Sequence, residues 1–299
     1  MAVTRRDEDF ESRGTRCAAW LYRPTAAAED PPVVVMAHGF GCERRWRLPA
    51  FAERYAENGI AVLLFDYRYF GDSDGRPRNL ISPTGQVRDW LAAIDHVRRL
   101  DDVDVSRLGL WGDSFGAGHA ISAAARDGDV DAVVLAVPFS DGLRTALHVA
   151  RAGGIPYFST AIRSATRDLA RRATFRTPYY VPIAAAPDEF GVLNRPEALA
   201  GFRSINGGEW DNRCPARILL TILGYRPITR ADGVDCPALV VEAEADRIIP
   251  PGTTDRLVTR LPDVERVRYP VHHFDIFTGE PFETVADRTT AFLDRHLLA

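Results

Sequence analysis

The stretch LGLWGDSFGAGHAISAAAR, Leu108 to Arg126, decides how the whole chain is interpreted. Its first part is a short apolar run typical of a buried strand, and the part from Phe115 onward has the apolar spacing of a helix. Gly112 and Gly116 lie two residues before and two residues after Ser114. A tight turn from strand to helix leaves no room for large residues near its centre, so the serine hydroxyl projects above the sheet. The pattern predicts that Ser114 is a nucleophile on a sharp turn.

A second G-x-S-x-G pattern, Gly71 to Gly75, has Ser73 at its centre. It also follows an apolar run, but the residues Asp74-Gly75-Arg76-Pro77 are typical of a turn and do not open a helix. We therefore prefer Ser114 as the nucleophile. The alternative for Ser114 is a small residue that only fits a tight turn.

Short apolar runs without alternation recur along the chain and predict strands buried on both faces of a parallel sheet. These runs are Val33 to Ala37, Ile60 to Phe65, Leu108 to Trp111, Ala132 to Val137 and Ala238 to Val241. Helical spacing is found at Leu48 to Glu57, Val87 to Leu100, Phe115 to Arg126, Thr253 to Leu261 and Phe282 to Leu298. An antiparallel edge is predicted at Glu8 to Ser12 and Arg16 to Tyr22. The predicted fold class is α/β, with a mostly parallel central sheet and helices on both faces.

The alternation of strands and helices stops for roughly 90 residues, whereas βα connections usually have about 2 to 6 residues. Helical spacing at Leu147 to Ala152 and at Ile162 to Arg172 is followed by a proline-broken stretch. We expect residues 143–234 to form an inserted, mainly helical cap over the carboxyl ends of the strands. Residues 1–142 and 235–299 would then form the core.

Composition excludes several functions. The 299 residues include 37 basic and 41 acidic side chains, a net charge of −4, so no overall field attracts nucleic acid or an anionic membrane. Every basic residue is arginine, which excludes lysine Schiff-base, P-loop and Ser-Lys chemistry. Cys17, Cys42, Cys214 and Cys236 lack metal-ligand spacing. The charged start lacks the apolar stretch of a signal peptide, and no apolar run reaches the roughly 18 residues of a membrane span, so we expect a cytoplasmic protein without nucleic-acid or membrane partners.

A serine hydroxyl becomes a good nucleophile when a base removes its proton and an acid orients that base. The run ALVVEAEAD ends at Asp246, in a loop at the end of a strand, and Asp141 after an earlier strand is the positional alternative. The motif HHFD after the last strand-like segment offers two histidines, His272 and His273. On this kind of scaffold the chain order is serine, acid, histidine, which these residues match.

Two backbone amides are expected to hold the negative oxygen that develops during acyl transfer. One is the amide of Phe115, directly after the nucleophile. The other is the amide of Phe40 in the motif HGFG, which follows the strand-like run VVVMA. His38 in the same motif precedes the serine, which is the wrong chain order for the base, so we interpret it as a structural residue.

Together these residues resemble the α/β-hydrolase family. The resemblance covers nearly the whole chain and is carried by HGFG, FDYRYFGDSDG, GDSFG, EAEADRIIP and HHFDIFTGEPFE. The family often has a glycine- and serine-rich turn at the second of these motifs, which accounts for the pattern around Ser73. The combination AHGFG, FDYR-x-FG-x-S-x-G and HFDI-x-x-GE-x-F is similar to bacterial carboxylic-ester hydrolases and fungal polyketide transferases. In that subgroup the histidine before Phe-Asp matches His273, and glycine is commoner at the position of His272.

The resemblance implies an α/β-hydrolase fold and acyl transfer from a small-molecule ester or thioester, with Ser114, His273 and Asp246 as the catalytic residues. It implies no metal and no organic cofactor. The alternatives are an acyltransferase that uses the same serine, a peptidase or amidase, and a non-catalytic binding protein; a homo-oligomer is also left open. Aromatic residues of the cap either line an apolar acyl pocket or only hold the cap together: Tyr157, Phe158, Phe175, Tyr179, Tyr180, Phe190 and Trp210.

Overall fold

The central sheet of the protein follows from its apolar runs. The chain is described by a computed structural model that covers residues 2–25, 30–208 and 210–298. Within these ranges the strands are β1 (Val3–Asp7), β2 (Phe10–Ser12), β3 (Thr15–Cys17), β4 (Ala19–Pro24), β5 (Pro32–Ala37), β6 (Ala61–Phe65), β7 (Asp104–Asp113), β8 (Ala132–Ala136), β9 (Tyr180–Val181), β10 (Cys214–Pro215), β11 (Ala238–Ala243) and β12 (Val264–Tyr269). Short pairs form between β2 and β3 and between β9 and β10, and the other strands make one eight-stranded sheet.

The sheet has the order β1-β4-β6-β5-β7-β8-β11-β12. All neighbours from β6 to β12 run parallel, whereas β4 is antiparallel to both β1 and β6. Every residue of β5, β6 and β8 is buried. Strands covered on both faces have no polar side to present, which is why their sequences do not alternate. The predicted α/β fold with a mostly parallel sheet is confirmed. Its antiparallel edge is formed by β4 and β1, whereas the predicted segment Glu8 to Ser12 holds β2, which pairs with β3 outside the central sheet.

The helices are α1 (Leu48–Glu57), α2 (Pro83–Val97), α3 (Phe115–Asp127), α4 (Gly142–Ala173), α5 (Ala198–Ile205), α6 (Ile218–Thr221), α7 (Thr253–Val258) and α8 (Gly279–Leu293). Shorter 3-10 or π turns lie at Ile222–Gly224, Pro227–Gly233, Asp275–Phe277 and Asp294–Leu298. Helix α1 packs against α8, and α2 packs against α3. Several predicted bounds differ from the structure by a few residues, among them those of α2 and α7. Helix α2 begins earlier, at Pro83, because proline suits the first helical position although it breaks the apolar pattern, and α7 ends three residues earlier, at Val258.

The segment between β8 and β11 holds α4, α5, α6 and the β9–β10 pair. Two helices were predicted in its first part, and α4 is divided in this way. Gly154 has non-helical backbone angles (φ 63°, ψ −167°) just before Pro156, so one helical part of α4 precedes it and another follows. The end of the segment, Pro227–Gly233, packs against α3, the helix that follows β7. The division into a core and a cap at 143–234 stays a prediction. Within the described ranges no helix combines the length and the apolar character needed to cross a bilayer.

Candidate active site

The turn between β7 and α3 holds Ser114 in a sharp conformation, with φ 50° and ψ −115°. The flanking glycines are required by contacts with backbone that cannot move aside. A Cβ at Gly112 would lie 2.5 Å from the Gly116 carbonyl oxygen, and a Cβ at Gly116 would lie 2.7 Å from the His38 carbonyl oxygen. Real Cβ atoms do not approach so closely, so only glycine fits and the turn places Ser114 at the carboxyl end of the sheet.

The second G-x-S-x-G pattern has a different structure. The Ser73 hydroxyl donates to the Asp66 carbonyl and accepts the Ala18 amide, each at 2.8 Å. No helix begins directly after this turn, because the next helix of the described chain, α2, begins only at Pro83. Ser73 therefore ties the turn to the neighbouring strand ends and is a structural residue.

The HGFG loop after β5 packs directly on this turn. A Cβ at Gly39 would lie 3.2 Å from the Ser114 Cβ atom, and the rings of Phe40 and Phe115 are in edge-to-face contact at 5.3 Å. Across the described parts of the chain, the backbone amides of Phe40 and Phe115 have no hydrogen-bond acceptor. His38 is buried beside Asp66, with 3.6 Å between Nε2 and the nearer carboxylate oxygen. Two unpaired amides next to a serine are the donors that an oxyanion requires.

Asp246 and His273 lie on the loops that follow the adjacent parallel strands β11 and β12. The His273 Nδ1 donates to the Asp246 Oδ2 at 2.7 Å, because an ionised carboxylate can only accept. The other carboxylate oxygen accepts the amides of Ile248 and Ile249, at 2.7 and 2.9 Å. These three bonds fix the carboxylate and leave the Nε2 of His273 as the ring nitrogen that can accept a proton.

The charges around His273 favour its protonated form. Burial by itself lowers the pKa of the imidazole, but the charge and hydrogen bond of Asp246, with smaller contributions from Asp113 and Glu197, outweigh burial and raise the pKa above 6.5. Burial also raises the pKa of Asp113 to about 7, which the charge of His273 partly opposes. The Asp113 Oδ1 atom has no hydrogen-bond partner among the described residues. An imidazolium formed at His273 is therefore stabilised by the neighbouring carboxylates, chiefly that of Asp246.

The alternatives left open by the sequence are located elsewhere. The Nδ1 of His272 lies 3.0 Å from the Ala245 carbonyl oxygen and 2.9 Å from Glu197, and its side chain is half exposed. Asp141 caps α4 by accepting the Arg144 amide and pairs with Arg226. The structure therefore brings His273, and not His272, to Asp246.

Sequence reasoning missed Glu197, which precedes α5. Its Oε1 accepts the Arg247 amide at 2.7 Å, and its Oε2 lies 2.9 Å from the His272 imidazole. Arg247 and His272 are the sequence neighbours of Asp246 and His273, so the Glu197 carboxylate holds both of their loops. Helix α5 also contacts the loop after β12, because its Gly201 lies so close to the Phe274 ring that an added Cβ would overlap it. No sequence motif announces this role, since Glu197 is about 50 residues before Arg247.

An apolar cavity of about 360 Å³ opens beside Ser114. It is lined by Phe40, Ser114, Phe115, Phe139, Thr145, Ala146, Leu147, Val149, Ala150, Tyr157, Phe158, Ala161, Ile162, Val192, Leu193, Leu219, Leu220, Ile222, Leu223, Ile248 and Ile249. None of these described lining residues carries a charge. Burying each methylene of a ligand in such a cavity contributes about 0.8 kcal/mol, so the cavity suits an acyl chain.

Of the seven aromatic residues expected at the pocket, Tyr157 and Phe158 line it and the other five do not. Phe190 packs behind Tyr157, with 5.2 Å between ring centroids, and Trp210 stacks on Phe202 at 4.9 Å. Phe175 is 99% exposed. The remaining pair, Tyr179 and Tyr180, lie beneath the guanidinium groups of Arg167 and Arg213. Most of the cavity wall consists of aliphatic residues, which, unlike the aromatic residues, do not stand out in the sequence as candidates for a binding site.

In the part of the chain that the structure describes, no group of three or more His, Cys, Asp or Glu side chains could hold a metal ion. The four cysteines are buried and free. Burial raises the pKa of Cys42, the cysteine nearest the HGFG loop, well above its usual value. A thiol that stays protonated is a poor nucleophile, so Cys42 does not compete with Ser114.

Several known proteins are similar to this chain. The profile of the Hydrolase_4 family, described as serine aminopeptidase S33, matches residues 28–183. The chain is 38% identical to the quorum-quenching protein AidA of Acinetobacter baumannii, over 97% of this chain and 94% of that protein. It is 26% identical to the polyketide transferase af380 of Aspergillus fumigatus, over 99% of each. The crystal structure of the α/β hydrolase GrgF from a Penicillium species superposes with a TM-score of 0.84 at 25% identity, over 99% of this chain and 100% of that one.

Proposed function

This chain is an α/β-hydrolase, of the family described as serine aminopeptidase S33, and from that premise we propose that it cleaves a carboxylic ester or thioester through Ser114, His273 and Asp246. One observation carries the proposal. The hydrogen bond of 2.7 Å between His273 and Asp246 is formed at the same end of the sheet as a serine on a sharp strand-to-helix turn. A base oriented by an acid, at the same end of the sheet as a serine that lines a cavity, is the arrangement that nucleophilic acyl transfer requires.

In the first step the Ser114 Oγ attacks the carbonyl carbon while its proton passes to the His273 Nε2. The carbonyl oxygen becomes negative and accepts the amides of Phe40 and Phe115. When the C–O or C–S bond breaks, His273 returns the proton to the leaving group, and the acyl group stays on Ser114. Asp246 remains ionised throughout and stabilises the imidazolium by its charge.

In the second step a water molecule gives a proton to His273 and attacks the acyl carbon. When the bond from that carbon to the Ser114 Oγ breaks, His273 returns the proton to the Oγ, which releases the acid and restores Ser114. A different acceptor in place of water would make the reaction an acyl transfer. Acyl transfer is the second candidate, because the apolar wall of the cavity limits the water that reaches the acyl-enzyme. An aminopeptidase is less well supported, because a charged α-amino group requires a carboxylate and none lines the described cavity.

The proposal is tested by the release of p-nitrophenol from acyl esters of increasing chain length, with Ser114→Ala as the comparison. We expect sustained turnover in the wild-type protein and a loss of about 10⁴-fold or more in the variant, since its nucleophile is gone. A single burst without turnover would favour the transferase, which would then be tested with alcohols or amines as acceptors. Turnover that survives in Ser114→Ala would contradict the assignment of the nucleophile.

The size of the acyl cavity predicts the chain-length preference. Ala150 of α4 lines the cavity, so Ala150→Phe fills part of it, and the optimum moves to acyl chains shorter by several carbons. Each methylene that finds no place costs about 0.8 kcal/mol, or about 4-fold in kcat/KM. The matched control is Ala152→Phe, because Ala152 is on the same helix but exposed and outside the cavity. An unchanged optimum in Ala150→Phe, in the same ester series, would show that the acyl chain binds elsewhere.

A further inference from the structure

The net charge of −4 conceals a separation of charge along the chain. Residues 143–234 contain 13 arginines and 7 acidic residues, a formal charge of +6. The remaining residues therefore carry −10, since the whole chain carries −4. The segment that lines much of the acyl cavity is thus cationic on an acidic protein. A local positive field of this kind attracts anionic ligands, although the negative net charge of the whole chain predicts no such attraction.

Part of this charge surrounds a hollow of about 380 Å³ next to the acyl cavity. It is lined by Leu143, Arg144, Leu147, His148, Arg151, Arg226, Pro250, Pro251 and Thr253. No described lining residue is acidic. Leu147 belongs to both the hollow and the acyl cavity. The loop after β11 connects the two as well, because Ile248 and Ile249 face the cavity and the next two residues face the hollow.

The hollow keeps a positive charge after its internal ion pairs are counted. Arg226 pairs with the buried Asp141 at 2.9 Å, and Arg144 lies 3.8 Å from the same carboxylate. Arg151 has no carboxylate partner among the described residues. Burial, with the charges of Arg195 and Arg151, lowers the pKa of His148, so its imidazole is neutral near pH 7. Three guanidinium groups thus face one carboxylate.

We propose that this hollow binds a phosphate group on the leaving part of the substrate, so that the substrate is an acyl thioester of a phosphorylated thiol. The inference rests on the acyl-transfer function proposed for Ser114. Guanidinium groups bind phosphate oxygens through paired, charge-assisted hydrogen bonds, which neutral donors match poorly. The acyl chain occupies the apolar cavity, its thioester carbon lies at Ser114, and the thiol portion passes Leu147 to reach Arg144, Arg151 and Arg226.

The test compares one acyl group on two thiols, coenzyme A and the neutral N-acetylcysteamine. We expect kcat/KM in the wild-type protein to be at least 10-fold higher for the coenzyme A thioester. The variant Arg151→Gln should lower this ratio by about 10-fold, since one charge-assisted contact is lost. Arg163→Gln is the matched control, because Arg163 is an exposed arginine in the second part of α4, outside the hollow and the cavity. It removes the same charge and should leave the ratio unchanged.

A thioester of 4′-phosphopantetheine distinguishes the two sources of such a phosphate. Its kcat/KM is divided by that of the N-acetylcysteamine thioester, as for coenzyme A. If this ratio equals the ratio for coenzyme A, the hollow binds the phosphate that carrier proteins also have. If only the coenzyme A ratio is high, the hollow binds the nucleotide phosphates. The proposal is wrong if the wild-type ratio is near one, or if Arg151→Gln and Arg163→Gln lower it equally, since that is diffuse attraction without a site. In both cases the proposed hydrolase function stands. If neither thioester nor any p-nitrophenyl ester reacts, that function fails, and this inference fails with it.

Discussion

The Asp246→Asn variant is expected to lose about 10⁴-fold in kcat while it remains folded. The carboxylate accepts from the His273 Nδ1 at 2.7 Å and from the amides of Ile248 and Ile249. Asparagine has one acceptor oxygen, and its amide nitrogen must face either the imidazole or the two backbone donors. With the nitrogen toward His273, the ring adopts the tautomer that carries its proton on Nε2. That nitrogen can then no longer take the proton of Ser114.

The same variant should change the pH dependence in a defined direction. His273 must be neutral to act as a base, so activity is lost as the pH falls through its pKa. Burial lowers that pKa, whereas Asp246, and to a smaller extent Asp113 and Glu197, raise it above 6.5 overall. Without the charge of Asp246, the effect of burial on His273 is less opposed and the pKa of its imidazole falls. The acid limb of the kcat/KM profile should therefore move to lower pH. The profile is measured from about pH 5 to 9 with an uncharged ester.

Asp141→Asn is the comparison for this experiment, because Asp141 is the positional alternative for the acid. In the structure Asp141 caps α4 and pairs with Arg226, so its replacement should leave the acid limb where it is. A loss of about 10⁴-fold in Asp141→Asn, with little loss in Asp246→Asn, would reverse the two assignments.

Gly116→Ala is expected to lower both the free energy of unfolding and the activity. The new Cβ would lie 2.7 Å from the His38 carbonyl oxygen and 2.9 Å from that of Ala37. Both atoms are backbone, so the turn and the HGFG loop must separate, at a cost of about 1–3 kcal/mol. The movement displaces the Phe40 amide from the oxyanion, and loss of one such donor costs about 10²–10³-fold in kcat.

Urea unfolding and ester turnover measure the two effects separately. Gly224→Ala is the matched control, since no atom lies within 4 Å of its added Cβ and its backbone is not in the left-handed region. Its free energy of unfolding should change by less than about 0.5 kcal/mol. Full activity in Gly116→Ala would show that the HGFG loop does not depend on this contact.

Much of the fold was predictable because its signals are local. The strands β5, β6 and β8 are buried on both faces, which removes alternation from their sequences. The turn at Ser114 needs glycines within two residues on either side, so the requirement appears in the sequence itself. Two helices were predicted in the region of α4 from the apolar spacing at Leu147 to Ala152 and at Ile162 to Arg172, and the structure divides α4 at Gly154, whose backbone angles are not helical.

The choice between His272 and His273 could not be made from neighbouring residues in the sequence. The two are adjacent and chemically identical, and the residues alone left both open. The resemblance to known hydrolases favoured His273, and the fold brings His273 to Asp246 and His272 to Glu197. The order serine, acid, histidine was visible in the chain, but which imidazole faces the acid depends on how the loop after β12 leaves the sheet.

The sequence by itself determined the fold class, the serine on its turn, the acid loop and the pair of histidines, because each depends on neighbours in the chain or on the order of the strands. Only the tertiary structure decided which histidine meets Asp246, that Glu197 holds the loops of Asp246 and His273, and which side chains line the apolar cavity beside Ser114. The cationic hollow belongs with these, since Arg144 and Arg226 come together only when the chain has folded. Contacts between residues far apart depend on packing, and packing leaves no period or motif in a single sequence.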